Sequence, residues 1–467
     1  MPSLRVPSVL LVGFAAMVMV ASSQPHLVAQ TPVATPAATP ATVSGTPEAV
    51  PATPDAIDLQ ALRVNELGTI PVLMFHTFTT GESTNIWMRN IDEFWNDLFW
   101  LYDHDFYVIS LRDMIDNTID VPAGKHPVVL TFDDASDNQF QFVVDENGDL
   151  APSPTSAVGV LESFFADYPD FGRGGHFAIT GSYCFANVND PAGVNTWDTH
   201  CPLKLQWLSD HGYEVGNHTW THPSLAAIDG WSVNNEVGQT AAFIDANVTG
   251  PGNQWSILTL PYGELPPDGT EGAAYLTNGA WWDNQHYVFD AITLVDGGPM
   301  YSPSSSWFNP YRIKRFNTDP ASLDLWLGKI ERGEIPLYTS DGDPNTITIP
   351  DPLPEFLQNE FDPDLIATSG KRLVRYADDG GYVEPSLTPL PALKPGVEVV
   401  TSESGVRLRD KPSTNGDLVK LLKHQTPLTV MDGPRKANGY TWWQVRMEDG
   451  TEGWVVEDFL AGPPAPR

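Results

Sequence analysis

Basic residues are scarce in this sequence. Its 467 residues include 25 lysines and arginines against 59 aspartates and glutamates, which gives a formal net charge of -34 at pH 7. A protein that binds nucleic acid needs a basic face to neutralise phosphate groups, and this composition argues against such a face. We therefore expect no nucleic-acid partner, and the charge suits a soluble, secreted protein.

Cysteine is almost absent, because Cys184 and Cys201 are the only two in the chain. Neither has a second cysteine at the spacing of a structural zinc site, which argues against a site of that kind. If the chain is exported, we expect the two thiols to form a disulfide. Closing a loop of that size would contribute on the order of 3 kcal/mol to stability.

Long apolar runs are also absent, except near the N-terminus. There, "MPSLRVPSVLLVGFAAMVMVASSQ" places one arginine before an apolar run from Val9 to about Val20, and small residues follow. This layout predicts a secretory signal peptide over residues 1–29, and hence a secreted or cell-wall-associated protein. A membrane span needs about 20 apolar residues, so membrane contact is expected only if the signal stays uncleaved as an anchor.

Two proline-rich segments divide the chain, and both predict extended linkers: residues 30–58 and residues 383–395. Between them, residues 59–382 alternate strand-like apolar runs with helical patterns such as "SAVGVLESFFADY", "LKLQWLSDHG" and "SVNNEVGQTAAFIDANV". That alternation predicts an α/β fold with a mostly parallel sheet and outer helices. Residues 396–463 consist of short alternating runs broken by turn residues, which predicts a small all-β barrel or sandwich.

Acidic and imidazole side chains follow two of the predicted strands. Asp133 and Asp134 come directly after "PVVLTF", and His218 and His222 follow "YEVG". Functional sites of parallel α/β folds collect at the carboxyl ends of the strands. Burying adjacent carboxylates is costly unless a cation compensates them. Two imidazoles and one carboxylate suit a divalent metal with an open position for water, which leaves the second carboxylate free as a base.

These motifs resemble those of the polysaccharide deacetylase family, whose catalytic unit is the NodB-homology domain. "VVLTFDDA" and "EVGNHTWTHPSL" look like its first two motifs, "PVLMFH" like its opening strand and "LTLPYGEL" like its third motif. The likeness spans about residues 71–316. It implies that residues 59–382 form an irregular (β/α) barrel of the NodB-homology type.

The resemblance also implies a role for each matched residue. Asp133 would be the general base, and the backbone N–H of Tyr262 would help to hold the oxyanion. Asp134, His218 and His222 would bind the metal, which would polarise the acetyl carbonyl and lower the pKa of its bound water. Zn²⁺ is the expected metal, with Co²⁺ or Ni²⁺ as alternatives.

The sequence departs from the family pattern in the third motif. That motif usually begins with an arginine two residues before the proline, and the arginine tethers the base. This chain has Thr259 at that position. Arg312 or Arg315, in the later segment "NPYRIKRF", is expected to replace it, and we assign the catalytic role to Arg315.

A second departure concerns the fifth motif, which normally supplies a histidine that protonates the leaving amine. After the third motif the chain has only His286, which is out of place for that role, and His424, which lies in the C-terminal module. The segment "YTSDGDPNTITIP" falls near the expected place, but we interpret its Asp341 and Asp343 as turn residues. His76 ends its predicted strand and either lines the pocket or belongs to the core.

The C-terminal module resembles a bacterial SH3 domain through "GVRLRDKPS" and "GWVVEDFL". Such modules usually bind cell-wall peptides or glycans, and we expect that role for residues 396–463. Four aromatic residues could form a binding face, although core packing is expected for at least two of them: Tyr440, Trp442, Trp443 and Trp454.

Together these features predict a secreted, metal-dependent hydrolase that removes N-acetyl groups from an extracellular or cell-wall polymer of the N-acetylglucosamine type. It would thus act on carbon–nitrogen bonds other than peptide bonds. An O-acetyl esterase that acts on xylan is an alternative, because an ester tolerates the loss of a general acid better than an amide does. A non-catalytic wall-binding protein on the same scaffold is a further alternative.

Overall fold

The structure of the chain, a computed structural model, describes residues 57–377, 390–402, 406–422 and 426–463. The predicted signal peptide, most of the first linker, part of the second linker and His424 lie outside the described residues. Within the described ranges, no helix is both long and apolar enough to cross a membrane.

Parallel strands form a closed barrel in the N-terminal part of the described chain. The strands are β1 (Val72–Phe75), β2 (Phe106–Val108), β3 (His126–Phe132), β4 (His176–Ile179), β5 (Glu214–Asn217), β6 (Asn253–Thr259), β7 (Ala291–Gly297) and β8 (Ile313–Asn317). Their order around the barrel is β1-β8-β7-β6-β5-β4-β3, and β3 pairs again with β1 to close the ring. The remaining strand, β2, pairs with the first residues of β3. The predicted parallel barrel is therefore confirmed.

The side chains of β3 show how the sequence builds this barrel. Strands covered on both faces are nearly continuous apolar runs, and six of the seven residues in "HPVVLTF" are buried. Successive side chains point to opposite faces, so the Thr131 hydroxyl faces the barrel interior while the Phe132 ring faces the outer helices. On the outer side Phe132 stacks between Phe75 and Phe177, with ring centroids 5.4 and 4.5 Å away.

Helices surround the barrel: α1 (Ile91–Asp103), α2 (Leu111–Ile115), α3 (Ala157–Asp167), α4 (Trp197–Asp210), α5 (Gly230–Asn247), α6 (Glu271–Asn278), α7 (Pro320–Glu331) and α8 (Pro363–Thr368). The three helical patterns quoted above fall on α3, α4 and α5, which confirms them. Side-chain oxygens of Ser156 and Asp229 accept backbone hydrogen bonds at the starts of α3 and α5. Just beyond α4, Gly212 takes a left-handed φ of 81°.

Shorter elements lie outside the barrel. Four two-stranded sheets pair Thr77–Thr79 with Met88–Asn90, Phe142–Val144 with Leu150–Pro152, Ala280–Trp282 with Gln285–Tyr287, and Thr346–Asp351 with Arg372–Ala377. Single 3₁₀ turns span Pro261–Gly263, Pro310–Arg312, Glu355–Leu357 and Glu457–Phe459. Cys184 and Cys201 form the predicted disulfide, which joins the loop after β4 to α4.

The C-terminal residues form a curled antiparallel sheet, as predicted. Its strands are β9 (Glu398–Thr401), β10 (Val406–Arg409), β11 (Leu418–Leu422), β12 (Pro427–Ala437), β13 (Tyr440–Met447), β14 (Glu452–Val456) and β15 (Leu460–Ala461), in the order β11-β10-β14-β13-β12-β9-β15. Trp442 and Trp443 are buried, whereas Tyr440 is 43% exposed. Two of the four predicted face aromatics therefore belong to the core.

Candidate active site

The predicted acidic and imidazole residues meet at the carboxyl-terminal edge of the barrel, called the barrel mouth below. Asp133 follows β3 directly, and His218 follows β5. The backbone N–H of Asp133 donates to the carbonyl of Phe75 at 2.9 Å, which ties the end of β3 to the end of β1. Asp134 and His222 take left-handed φ values of 79° and 60°, a conformation that folded chains retain only where their surroundings hold it.

Arg315 is the partner of Asp133. Its two terminal nitrogens, Nη1 and Nη2, donate to Oδ1 and Oδ2 of Asp133, each at 2.7 Å. Nε of Arg315 donates to the carbonyl of Leu294 at 2.6 Å, and Nη1 also donates to Thr131 Oγ1 at 3.0 Å. Both side chains are almost fully buried, so this two-pronged pair fixes the orientation of the carboxylate inside the barrel.

The charge of Asp133 depends on that pair. Burial alone would raise the pKa of Asp133, but the nearby Arg315 guanidinium and His218 outweigh it and hold the pKa below its ordinary value. A carboxylate in this state is ionised at neutral pH. It is therefore able to accept a proton.

The structure also separates the two arginines that the sequence left as alternatives. Arg312 lies in the turn before β8 and lines a cavity of about 180 Å³ with Leu276 and Tyr311. Arg315 lies within β8, where it pairs with Gly297 of β7, and its side chain reaches Asp133.

Thr259, which stands at the family's arginine position, is buried. Its side-chain hydroxyl accepts a hydrogen bond from Thr293 at 3.0 Å. Arg315, and not Thr259, is thus the residue that binds the Asp133 carboxylate.

Asp134, His218 and His222 form a compact cluster of potential metal ligands. One ligand atom from each lies within 4.8 Å of the other two. Oδ1 of Asp134 is 3.3 Å from Nε2 of His218 and 3.2 Å from Nε2 of His222. The three residues come from the ends of β3 and β5, as the sequence predicts.

The hydrogen bonds of His218 test whether a metal fits this cluster. Nδ1 of His218 lies 2.9 Å from the carbonyl oxygen of Thr259, which can only accept, so Nδ1 carries the hydrogen. In the neutral ring Nε2 is then a bare lone pair, and this buried nitrogen has no hydrogen-bond partner among the described residues. A lone pair that faces a carboxylate oxygen at 3.3 Å needs a proton or a cation between them, so the residues fit a divalent metal.

The pKa shifts of the cluster agree with that geometry. Burial alone would raise the pKa of Asp134, but its contacts with His218 and His222 lower it well below the ordinary range. Burial would lower the pKa of His218, but Asp134 and Asp133 outweigh it and raise the pKa. The cluster thus favours positive charge next to Asp134.

Comparisons with known proteins find two family matches within the chain. Residues 176–277, which include both histidines, match the family model of polysaccharide deacetylases, and residues 404–461 match that of bacterial SH3 domains. This part of the chain is similar to polysaccharide deacetylases. A search of curated protein sequences gives no match.

Several solved structures are similar to part of this chain. Streptococcus pyogenes deacetylase PplD in complex with acetate is 18% identical, with 55% of this chain and 97% of that chain covered and a TM-score of 0.38. IcaB from Ammonifex degensii is 15% identical, with coverages of 55% and 94% and a TM-score of 0.36. A family 4 carbohydrate esterase from Bacillus anthracis is 16% identical, with coverages of 51% and 86% and a TM-score of 0.22.

Tyr262 lies beside His222 of the cluster of potential metal ligands. Its ring packs edge-on against His222, with centroids 4.9 Å apart, and the side chain is 62% exposed. Its backbone has a left-handed φ of 59° within the turn Pro261–Gly263. The structure therefore brings this predicted residue to the barrel mouth.

The other predicted candidates lie elsewhere. His286 is in a hairpin outside the barrel, where its ring stacks on Trp281 at 4.5 Å. Asp341 accepts hydrogen bonds from the backbone of Asp343 and the hydroxyl of Thr346, and Asp343 accepts from the backbone of Asn345. Asp341 and Asp343 therefore shape a turn, as expected.

Sequence reasoning undervalued one residue at the site and missed two others. His76 follows β1, and its Nε2 is 3.9 Å from Oδ2 of Asp133. The Trp87 ring packs against His76 at a tilted angle of 59°, with centroids 4.7 Å apart. The buried amide of Gln139 donates to the backbone carbonyls of both His76 and Asp133. The only available signal was the position of His76 at the end of an apolar run.

Proposed function

We propose that this chain is a metal-dependent hydrolase that removes N-acetyl groups from a polysaccharide of the N-acetylglucosamine type. The single observation that carries the proposal is that two adjacent carboxylates at the barrel mouth have different partners. Asp134 faces two imidazole nitrogens, whereas Asp133 is bound by Arg315. One acid is thereby suited to a metal and the other to proton transfer.

The metal site would be formed by Asp134, His218 and His222, and Zn²⁺ suits their nitrogen and oxygen ligands, with Co²⁺ or Ni²⁺ as alternatives. Such an ion supplies Lewis-acid polarisation of the acetyl carbonyl and makes water a stronger acid. Thr259 fixes the tautomer of His218 through its carbonyl, so that Nε2 points to the metal position.

The remaining residues would handle the proton and the developing charge. Asp133 takes a proton from the attacking water, and Arg315 keeps the carboxylate ionised and correctly oriented before the attack. The backbone N–H of Tyr262, in its left-handed turn, is the proposed donor to the oxyanion. The exposed Tyr262 ring gives a sugar an apolar surface beside that donor.

We also propose that the protein works outside the cytoplasm and binds the cell wall. The apolar N-terminal run supports export, and so does the disulfide between Cys184 and Cys201. The SH3 domain supports attachment to a wall glycan or peptide, with Tyr440 as an exposed aromatic contact.

Acetate release tests the proposal. The full chain, loaded with Zn²⁺ or Co²⁺, is offered chitooligosaccharides, peptidoglycan and acetylated xylan. Asp133→Asn should reduce release by about 100-fold or more, because it removes the base while the metal ligands stay in place. Asp120→Asn, a change of the same type at an exposed acid, is the matched control and should keep wild-type activity.

The substrates separate the rival functions. Release from acetylated xylan alone would favour the O-acetyl esterase. That candidate is supported by His286, the one described histidine after the third motif, which lies in a hairpin outside the barrel. Binding of one metal ion per chain without acetate release from any substrate would contradict the hydrolase and favour a wall-binding protein.

A further inference from the structure

Two exposed tryptophans lie outside the barrel, in a part of the chain that the proposed reaction does not use. Trp281 belongs to the hairpin formed by residues 280–287, and it is 54% exposed. Trp231, in the first turn of α5, is 70% exposed. A single exposed apolar residue is ordinary, whereas several on one surface mark a place where another molecule binds. The way the hairpin is held decides whether the two rings share one surface.

The backbone of the hairpin fixes the direction of Trp281. Asp283 and Asn284 take left-handed φ values of 48° and 65°, the pattern of a tight two-residue turn. Side chains alternate along the two strands, so Ala280 and Tyr287 are buried against α5 while Trp281 lies on the opposite face. The hairpin is therefore a short, rigid support that presents the Trp281 ring to solvent.

His286 supports the Trp281 ring from behind. The two residues lie directly opposite each other in the hairpin, and their rings stack with centroids 4.5 Å apart. Gly279 lies beside the imidazole with a left-handed φ of 93°, and a Cβ at this position would be 2.6 Å from Nε2 of His286. The imidazole thus covers one face of the indole. An aromatic ring held in this way offers a flat contact surface at little cost in conformational entropy.

Asn234 joins the hairpin to the helix that carries Trp231. Its amide nitrogen donates to the carbonyl of Trp281 at 2.9 Å, and its amide oxygen accepts from the N–H of Trp281 at 2.7 Å. Asn234 is buried and follows Trp231 by three residues on α5, so the two are neighbours on the helix. Trp231 and Trp281 therefore belong to one surface, called the tryptophan surface below.

The charge around the tryptophan surface limits what it can bind. The sequence has no lysine or arginine between Lys204 and Arg312, a segment that includes α5, α6 and the hairpin. An anionic ligand or another copy of this acidic chain would therefore meet no compensating cation from this segment. The hairpin instead exposes the polar side chains of Asp283, Asn284 and Gln285. These groups bond hydroxyls and amides, so the surface fits a neutral, hydroxyl-rich ligand.

We propose that the tryptophan surface is a second binding site for the polysaccharide, separate from the barrel mouth. The identity of the sugar rests on the proposed function. The flat rings contact the apolar C–H face of a pyranose, and the polar groups of the hairpin bind its hydroxyl and acetamido groups. One part of a long polymer is held here while another part occupies the barrel mouth. The gain is confined to polymers long enough to reach both sites.

Affinity electrophoresis of the full chain tests this site, in gels that contain glycol chitin, a soluble polymer of the N-acetylglucosamine type. The apparent Kd of the double variant Trp231→Ala/Trp281→Ala should rise by about 10-fold or more, because both rings lose their contact with the polymer. Trp307→Ala, at a tryptophan that is 47% exposed elsewhere on the chain, is the matched control and should bind as the wild type does. If thermal unfolding shows that the double variant is destabilised, Trp231→Leu/Trp281→Leu takes its place, because leucine stays apolar but lacks a flat ring.

Acetate release from substrates of two lengths gives a second measurement on the Zn²⁺-loaded full chain. In the double variant, kcat/KM on glycol chitin should fall by about 5-fold or more, because the second contact with the polymer is lost. On tri-N-acetylchitotriose, kcat/KM should stay within about 2-fold of the wild-type value. A trisaccharide bound at the barrel mouth has no further sugars to place on the tryptophan surface.

Unchanged retardation of the double variant, or an equal loss in Trp307→Ala, would overturn the second site while leaving the proposed function intact. An equal loss of kcat/KM on the polymer and the trisaccharide would also overturn it, as would a wild type that glycol chitin does not retard. A wild type that is retarded but releases no acetate, beside a double variant that binds weakly, would overturn the proposed function and support the binding site.

Discussion

Asp133 and Asp134 at the barrel mouth can be compared with Glu66 and Asp341, a second pair of buried acids. At the mouth each acid has its own cationic or imidazole partners. Glu66 instead accepts hydrogen bonds from neutral donors: the Tyr338 hydroxyl at 3.1 Å and the backbone N–H groups of Thr348 and Asp341 at 2.7 and 3.3 Å. Within the described ranges, no side-chain nitrogen of a lysine, arginine or histidine lies within 4 Å of a carboxylate oxygen of Glu66 or Asp341.

The comparison shows that burial alone does not decide the charge of an acid. Burial, followed by the nearby Asp341, raises the pKa of Glu66 to about 8. Asp133 is also buried and Asp134 is partly buried, yet their pKa values are lowered by Arg315 and the histidines. Neutral donors leave a buried acid protonated, whereas a buried cation keeps it ionised and available for chemistry.

Replacing Arg315 should give the largest effect, because Asp133 would then be a buried acid without a cationic partner, as Glu66 is. Arg315→Met leaves Asp133 buried without its cation. We expect the free energy of unfolding to fall by about 3–5 kcal/mol and acetate release to fall by about 100-fold or more. Urea unfolding at pH 7 and an acetate assay measure the two losses. Arg312→Met is the control, and equal losses in that variant would contradict the assignment of Arg315.

Replacing Asp134 should weaken zinc binding, whereas replacing Asp341 of the second pair should not. Asp134→Asn removes the carboxylate between the two imidazoles, so zinc affinity should fall by more than about 100-fold. The thermal stabilisation that zinc gives the wild type should disappear with it. Competition with a zinc chelator and thermal unfolding check both effects. Asp341→Asn should retain wild-type zinc affinity, and a similar loss there would show that the metal lies elsewhere.

Replacing Glu66 should remove a pH dependence of stability. The folded protein keeps a proton on Glu66 that the unfolded chain loses above the ordinary pKa of 4.5. Stability should therefore fall as pH rises from about 4.5 to about 8 and then level off, a loss on the order of 5 kcal/mol. Glu66→Gln stays neutral and should lack this fall when urea unfolding is measured across that range. The exposed Glu82→Gln serves as control, and parallel curves for wild type and Glu66→Gln would refute the raised pKa.

Replacing Asp341 should have the smallest effect and should sharpen the comparison. The carboxylate of Asp341 contributes to the raised pKa of Glu66, so Asp341→Asn should lower that pKa. The fall of stability should then end at a lower pH, by about one pH unit. Carboxyl-carbon NMR of Glu66 during a pH titration measures the change. Asp343→Asn, at an exposed turn position, should leave the titration where it is in the wild type.

The sequence predicts the mouth residues well because most of them lie in contiguous motifs. Asp133 and Asp134 follow one apolar strand, and His218 and His222 follow another, so parallel pairing is enough to bring them together. The choice between Arg312 and Arg315 depends on the register of β8, which places Arg315 beside Gly297. Local sequence gives no signal for that register.

The second pair of acids could not be predicted in the same way. Glu66 and Asp341 are 275 positions apart, and neither belongs to a recognisable motif. His76 was visible as a residue that ends a strand. Its closeness to Asp133 follows only from the closure of the barrel by β1 and β3, which pattern reasoning did not specify.

Barrel closure also determines when the site is completed during protein synthesis. Asp133 and Arg315 are 182 positions apart, and β8 is the last strand of the ring to leave the ribosome. A nascent chain that ends before β8 already has the three potential metal ligands but lacks the guanidinium that keeps Asp133 ionised. Prematurely terminated products would therefore lack the Asp133–Arg315 pair, which only a chain translated through β8 can form.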